Sequence, residues 1–128
     1  MSKTKKDEKL LTELELEIMQ RVWDGAHTVR AVVELLPKSR GLAYTTVATM
    51  MKILEQKNFI KSSKMDHTLS YQVLVPRTDY ESKSLKVMTD KVFKGRSSQL
   101  VMRLLNEGEL SPEELNAIKK MLEERMGA

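Results

Sequence analysis

The sequence contains no cysteine. That removes a disulfide framework, a thiolate metal site and a cysteine nucleophile. Aromatic residues are scarce, at 5% against 41% hydrophobic residues overall, so the nine methionines must fill some of the space that rings would take. No apolar run approaches the ~20 residues that a membrane-crossing helix needs. The opening "MSKTKKDEKLL" mixes basic and acidic residues, and no apolar segment follows it. No secretory signal is therefore read, and a cytoplasmic protein without membrane insertion is expected. Catalytic motifs are missing too. The two histidines stand forty residues apart, and there is no HExxH, no GxSxG and no glycine-rich phosphate loop. The pairs Glu113-Glu114 and Glu123-Glu124 fall at a helix start and on a solvated helix face. The expectation is a protein that is not an enzyme and uses no cofactor and no metal. With 128 residues, no internal repeat and no low-complexity segment, the chain has room for one domain with an appendage.

The net charge is +4, and it is spread unevenly. Lys38, Arg40, Lys52, Lys57, Lys61 and Lys64 face only Glu55 and Asp66 between positions 38 and 72. From position 106 on, Glu107, Glu109, Glu113, Glu114, Glu123 and Glu124 outnumber Lys119, Lys120 and Arg125. A basic middle and an acidic tail suggest a polyanion-binding part joined to a part with another task.

Residues 1–9 are polar and are expected to form a disordered tail. In "LTELELEIMQRVWDG", Leu11, Leu14, Ile18 and Val22 recur at helical steps. Thr12 and Glu15 have capping-box spacing, and Gly25 is a stop. In "HTVRAVVELLP", Thr28 can cap, Val29, Val32, Val33 and Leu36 share a face, and Pro37 ends the helix. A third helix spans residues 44–57, with Val47, Met50, Met51 and Leu54 on its apolar stripe. After Asn58 the period changes to two. Ile60 to Lys64 reads as a weak strand, Met65-Asp66-His67 as the turn, and Leu69, Tyr71, Val73 and Val75 as the alternation of a second strand closed by Pro76.

Three helices and a hairpin in this order predict a winged helix-turn-helix over residues 10–77, with the third helix lying in a DNA major groove. The fold class expected is mainly α with a small β-hairpin wing. Residues 78–128 read as three short amphipathic helices. The last opens with Ser111 as cap, Pro112 in the first position and Glu114 three after the cap. Their apolar residues, Leu104, Leu105, Leu115, Ile118 and Leu122 among them, need a partner. A second copy of the chain is the simplest one. Residues 78–128 are therefore expected to be a helical dimerisation part, giving a homodimer.

Threonine is a mediocre helix former, yet Thr45, Thr46 and Thr49 crowd the start of the third helix. Their hydroxyls can meet phosphates or base edges, and their methyls can meet thymine. Capping by Thr45 or Thr46 would explain one of them and leave Thr49 unexplained. Lys52 continues that face. Lys61 and Lys64, with Lys57 just before the hairpin, suit a wing along a phosphate backbone. Arg30 stands in the first turn of the second helix, where a cation opposes the helix dipole, so a phosphate contact is expected of it. Double-stranded DNA is the partner these residues suggest.

The stretches "LTELELEIMQRVWDG", "TVRAVVELL", "AYTTVATMMKILEQKNFI" and "YQVLVP" resemble the BlaI/MecI penicillinase-repressor family of bacterial transcription factors. The resemblance covers about residues 10 to 125. It implies a homodimeric repressor, a winged helix followed by a three-helix dimerisation part, and a dyad operator with TACA/TGTA half-sites controlling a β-lactamase or related operon, hence a tie to antibiotic resistance. The family's recognition-helix threonines fall on Thr46 and Thr49, with Thr45 just before. The resemblance also implies relief of repression by proteolysis in the C-terminal part, signalled by a membrane β-lactam sensor with a metalloprotease domain. The bond cut in the best-known members is Asn-Phe, and Arg103-Leu104 stands at that place here. The copper-responsive branch carries Cys-x-Cys motifs, which a chain without cysteine cannot have. Two other readings stay open: a winged helix used as a protein-interaction module, and a ligand-sensing repressor that is never cleaved.

Overall fold

The computed structural model describes residues 10–127, and the expected tail of residues 1–9 lies outside that range. In chain order the elements are α1 (Glu13–Trp23), α2 (Val29–Leu35), a 3-10 turn (Lys38–Arg40), α3 (Tyr44–Gln56), β1 (Ile60–Met65), β2 (Thr68–Val73), α4 (Arg77–Lys91), α5 (Ser97–Glu107) and α6 (Pro112–Arg125). The chain divides into two compact units, and the division falls inside α4, between Leu85 and Lys86.

The helix boundaries follow local chemistry. Thr12 Oγ1 accepts the Glu15 N–H at 3.2 Å, and Glu15 Oε1 accepts the Thr12 N–H at 2.8 Å. This is the expected capping box, worth about 1 kcal/mol. At the far end of α1, Gly25 takes a φ of 114°, and the Gly25 and Ala26 amides donate back to Val22 and Arg21. Thr28 Oγ1 caps α2 through the Ala31 N–H at 3.0 Å. Helix α3 ends in the same manner as α1, with Asn58 at a φ of 65° and the Asn58 and Phe59 amides returning to Glu55 and Leu54. Asparagine serves there because it tolerates the left-handed region better than most side chains.

The core of the first unit is built from the apolar stripes of three helices and the root of the hairpin. Ile18, Met19 and Val22 of α1 meet Val32 of α2, Leu36 just past its end, and Val47, Met51 and Leu54 of α3, all buried. Ile60 and Tyr71 close the open side. Truncating Leu54 to alanine in so dry a place would cost about 2–5 kcal/mol.

The hairpin differs from expectation at its tip. Met65 belongs to β1, where it pairs with Thr68, and the turn is Asp66-His67 alone. Both turn residues have positive φ, 50° and 67°. A two-residue loop with positive φ at both positions matches the right-handed twist of the strands, which an ordinary type I or II turn would splay. Strand β2 also stops at Val73, because the Leu74 and Val75 amides both donate to the Phe59 carbonyl and the chain bends away. The Tyr71 N–H donates to the His27 carbonyl at 2.7 Å, so the link between α1 and α2 lies against β2.

The start of α4 is locked into the first unit. The Tyr80 hydroxyl accepts the Leu11 N–H at 2.8 Å, and its ring lies 5.7 Å from Trp23 and 5.8 Å from Phe59. Trp23 Nε1 donates to the Val75 carbonyl at 2.9 Å. The Arg77 guanidinium sits 5.6 Å over the Trp23 ring and 2.7 Å from Asp24.

The second unit holds the end of α4 with α5 and α6. Ser111 Oγ accepts the Glu114 N–H at 3.1 Å, and Glu114 Oε1 accepts the Ser111 N–H at 2.8 Å, with Pro112 at the first helical position. The start of α6 is thus as its sequence dictates. None of the described residues from 86 to 127 is buried. Val92, Met102, Leu104, Met121 and Leu122 are all more than half exposed.

Candidate nucleic-acid interface

Helix α3 begins differently from its neighbours. Its N-cap is Ala43, which has no side-chain acceptor to offer, and no side chain caps this end. Thr45 and Thr46 therefore do not cap the helix, and that explanation for them falls away. The first amides of a 13-residue helix are left pointing outward. Thr45, Thr46, Thr49 and Lys52 are all exposed and line one side of the helix, while Val47, Met51 and Leu54 are fully buried on the other. None of the three threonine hydroxyls makes a hydrogen bond among the described residues. Partial positive charge from the helix end, free amides, hydroxyls and an ammonium group thus converge on one surface, a combination suited to anions.

The other basic residues are placed unequally. Arg30 is exposed in the first turn of α2, 3.8 Å from Glu34, in a pair so solvated that it holds Arg30 only weakly. Lys57 is engaged elsewhere, since its Nζ lies 2.7 Å from Glu15 Oε2. Arg40 is held by Glu17 through Nε, at 3.0 and 2.9 Å from the two carboxylate oxygens. Lys61 and Lys64 are both exposed on β1, but the strand's alternation sends them to opposite faces of the hairpin. Lys61 shares its face with Gln72, Ser63 and Ser70. Lys64 shares its face with Ser62, Tyr71 and Leu69.

That second face looks onto α3. Glu55 Oε2 accepts both the Ser62 N–H at 3.1 Å and the Ser62 hydroxyl at 2.8 Å. Tyr71, opposite Ser62, is 2% exposed. Burial pushes its phenol above the ordinary range, and the Glu55 carboxylate and the Tyr44 hydroxyl add to the shift. The Glu55 and Lys57 bonds were not legible in the sequence. Both join residues whose partners are set only once the hairpin folds back and α1 packs.

In the second unit, Arg103 and Leu104 lie in the middle of α5, with the Arg103 guanidinium 2.7 Å from Glu107. Leu104, Leu105, Leu115 and Leu122 are exposed and Ile118 is half-buried, so the described residues leave these apolar faces largely uncovered. Among the described residues no His, Asp and Glu cluster is placed to hold a metal ion, and no helix is long and apolar enough to cross a membrane.

Three packed helices, the second and third forming a helix-turn-helix, with a hairpin lying against the third, define a winged helix-turn-helix protein. Residues 11–124 match the family described as penicillinase repressor. The chain is 25% identical over 116 residues to the methicillin resistance regulatory protein MecI of Mammaliicoccus sciuri, covering 90% of this chain and 94% of that one. It is 24% identical over 115 residues to the penicillinase repressor of Bacillus licheniformis, covering 89% and 90%. An uncharacterized 16.5 kDa protein of Latilactobacillus sakei is 23% identical over 113 residues, covering 88% and 77%. The chain belongs to the penicillinase repressor family.

Proposed function

We propose that this protein is a transcriptional repressor that binds a dyad operator in double-stranded DNA as a homodimer. The observation that carries this reading is the open, threonine-lined start of α3, where hydroxyls and amides are left without partners among the described residues on an exposed face. Thr45, Thr46 and Thr49 meet base edges or adjacent phosphates. Arg30, Lys52, Lys61 and Lys64 neutralise the backbone to either side. The names of the relatives support a β-lactamase or related resistance operon as the target.

The exposed apolar residues of α5 and α6, Leu104, Leu105, Leu115 and Leu122, with Ile118 beside them, support a two-chain assembly whose subunits each read one half-site. Relief of repression follows cleavage in α5 by a sensor metalloprotease, at or near Arg103-Leu104.

The test is an anisotropy titration of the full chain with a TACA/TGTA dyad duplex and a scrambled duplex at two salt concentrations. A preference for the dyad of about 10³ or more, weakening with salt, is the expected result. Equal and weak binding to both duplexes would favour the protein-interaction module.

A further inference from the structure

We infer that Glu55 is a positioning residue for DNA binding: by holding Ser62, it sets the hairpin against α3 and fixes the phosphate contact of Lys64, which lies on the hairpin face turned toward α3. The inference rests on the operator-binding reading above and assigns a task to a carboxylate which that reading leaves unused.

The geometry is specific. Glu55 is the next-to-last residue of α3, and both bonds it accepts come from one residue of β1, Ser62, at 3.1 and 2.8 Å. A carboxylate that accepts a backbone amide and a hydroxyl from one residue fixes that residue in position and in rotation. Rotation is what matters in a strand, because neighbouring side chains alternate between faces. With Ser62 turned toward α3, Lys64 must lie on the same face two residues further toward the tip, and Lys61 must lie on the other. Tyr71, buried opposite Ser62, shares that face and resists a slip of the register. A negative charge near a DNA interface is otherwise a liability, since it repels phosphate. Here it is half-buried and its Oε2 is occupied, so its effect on DNA is exerted through the wing.

The test is a mutant cycle on the full chain. The dyad duplex is titrated across a salt series with the wild type, Glu55→Ala, Ser62→Ala, Lys64→Ala, Lys61→Ala and the two double variants that join Glu55→Ala to each lysine change. Circular dichroism and thermal melting verify the fold of each. Lys64→Ala should make the plot of log affinity against log salt shallower by about one. Glu55→Ala should do the same, and adding Lys64→Ala to it should cost little more, because one contact cannot be lost twice. Glu55→Ala and Lys61→Ala should instead add. Ser62→Ala keeps the backbone bond to Glu55 and should move the slope the same way by less, so it carries the test if Glu55→Ala unfolds. A purely structural Glu55 would lower the melting temperature and leave the salt slope unchanged. That result, or full additivity with Lys64→Ala, overturns the inference. A wild-type chain that binds no duplex preferentially overturns the operator reading itself, which is a distinguishable outcome.

Discussion

The ammonium group of Lys57 lies 2.7 Å from the carboxylate of Glu15, joining the end of α3 to the first turn of α1. Glu15 is 4% exposed and is the one buried charged residue among those described. Its other oxygen accepts the Thr12 amide, so one side chain both caps α1 and pins α3 to it. Burial alone would raise the pKa of this carboxyl. The Lys57 and Thr12 interactions outweigh burial and hold it below its ordinary value of 4.5. A carboxyl with a lower pKa folded than unfolded stabilises the fold above its unfolded value. That stabilisation is lost as pH falls through the folded value. Glu15→Ala should destabilise the protein by about 1–3 kcal/mol at pH 7. Urea unfolding at pH 7 and at pH 3.5 should show the gap between variant and wild type closing in acid.

Replacing Thr46 and Thr49 together with glutamate should abolish measurable duplex binding at ordinary salt. Both side chains are exposed and make no hydrogen bond among the described residues, so stability should change by no more than about 0.5 kcal/mol per site. Anisotropy and thermal melting on one preparation separate the two effects. A variant that still binds the dyad would remove α3 as the reading element.

Tyr80→Phe should cost about 1–3 kcal/mol, because it strands the Leu11 amide in a buried place. The ring packing against Trp23 and Phe59 is retained, so near-ultraviolet circular dichroism should change little while the denaturation midpoint falls.

A chain ending at Lys91 keeps every contact of Tyr80 and Arg77 and should still fold. It should bind a single half-site as well as the whole protein does. On the dyad it should be weaker by about 10²–10⁴, because two linked contacts become independent ones. Sedimentation of the full chain and the shortened one gives the oligomeric state alongside. Equal dyad binding by both would sink the two-chain arrangement.

The helical elements were readable because their signals are local. Thr12 with Glu15, Thr28, and Ser111 with Pro112 and Glu114 each cap within four residues of chain, and all three caps form. The stripes of α1 to α3 were equally plain, since a period of 3.6 needs no knowledge of the partner. Met19 and Glu15 were the exceptions. Both are buried by what packs against them, which periodicity does not reveal. The wing tip was misread by one residue, because Met65 gives no sign of being strand or turn until its pairing with Thr68 is known. The candidate interface was legible as residue types in an unusual place. Its limits were not, since Lys57 looked free in the sequence and is bound to Glu15.

The bare start of α3 bears on stability as well as on recognition. Thr12 and Thr28 close the two helices before it, and Ser111 closes the last. A serine or aspartate at position 43 would seat an oxygen on the same orphan amides and gain about 1 kcal/mol. Alanine forgoes that gain. A cap and an incoming phosphate would compete for one set of donors, so tightening the fold there and keeping it receptive are opposed aims. The start of α3 is unfinished as a helix end, and for the same reason it is open to completion by an anion from another molecule.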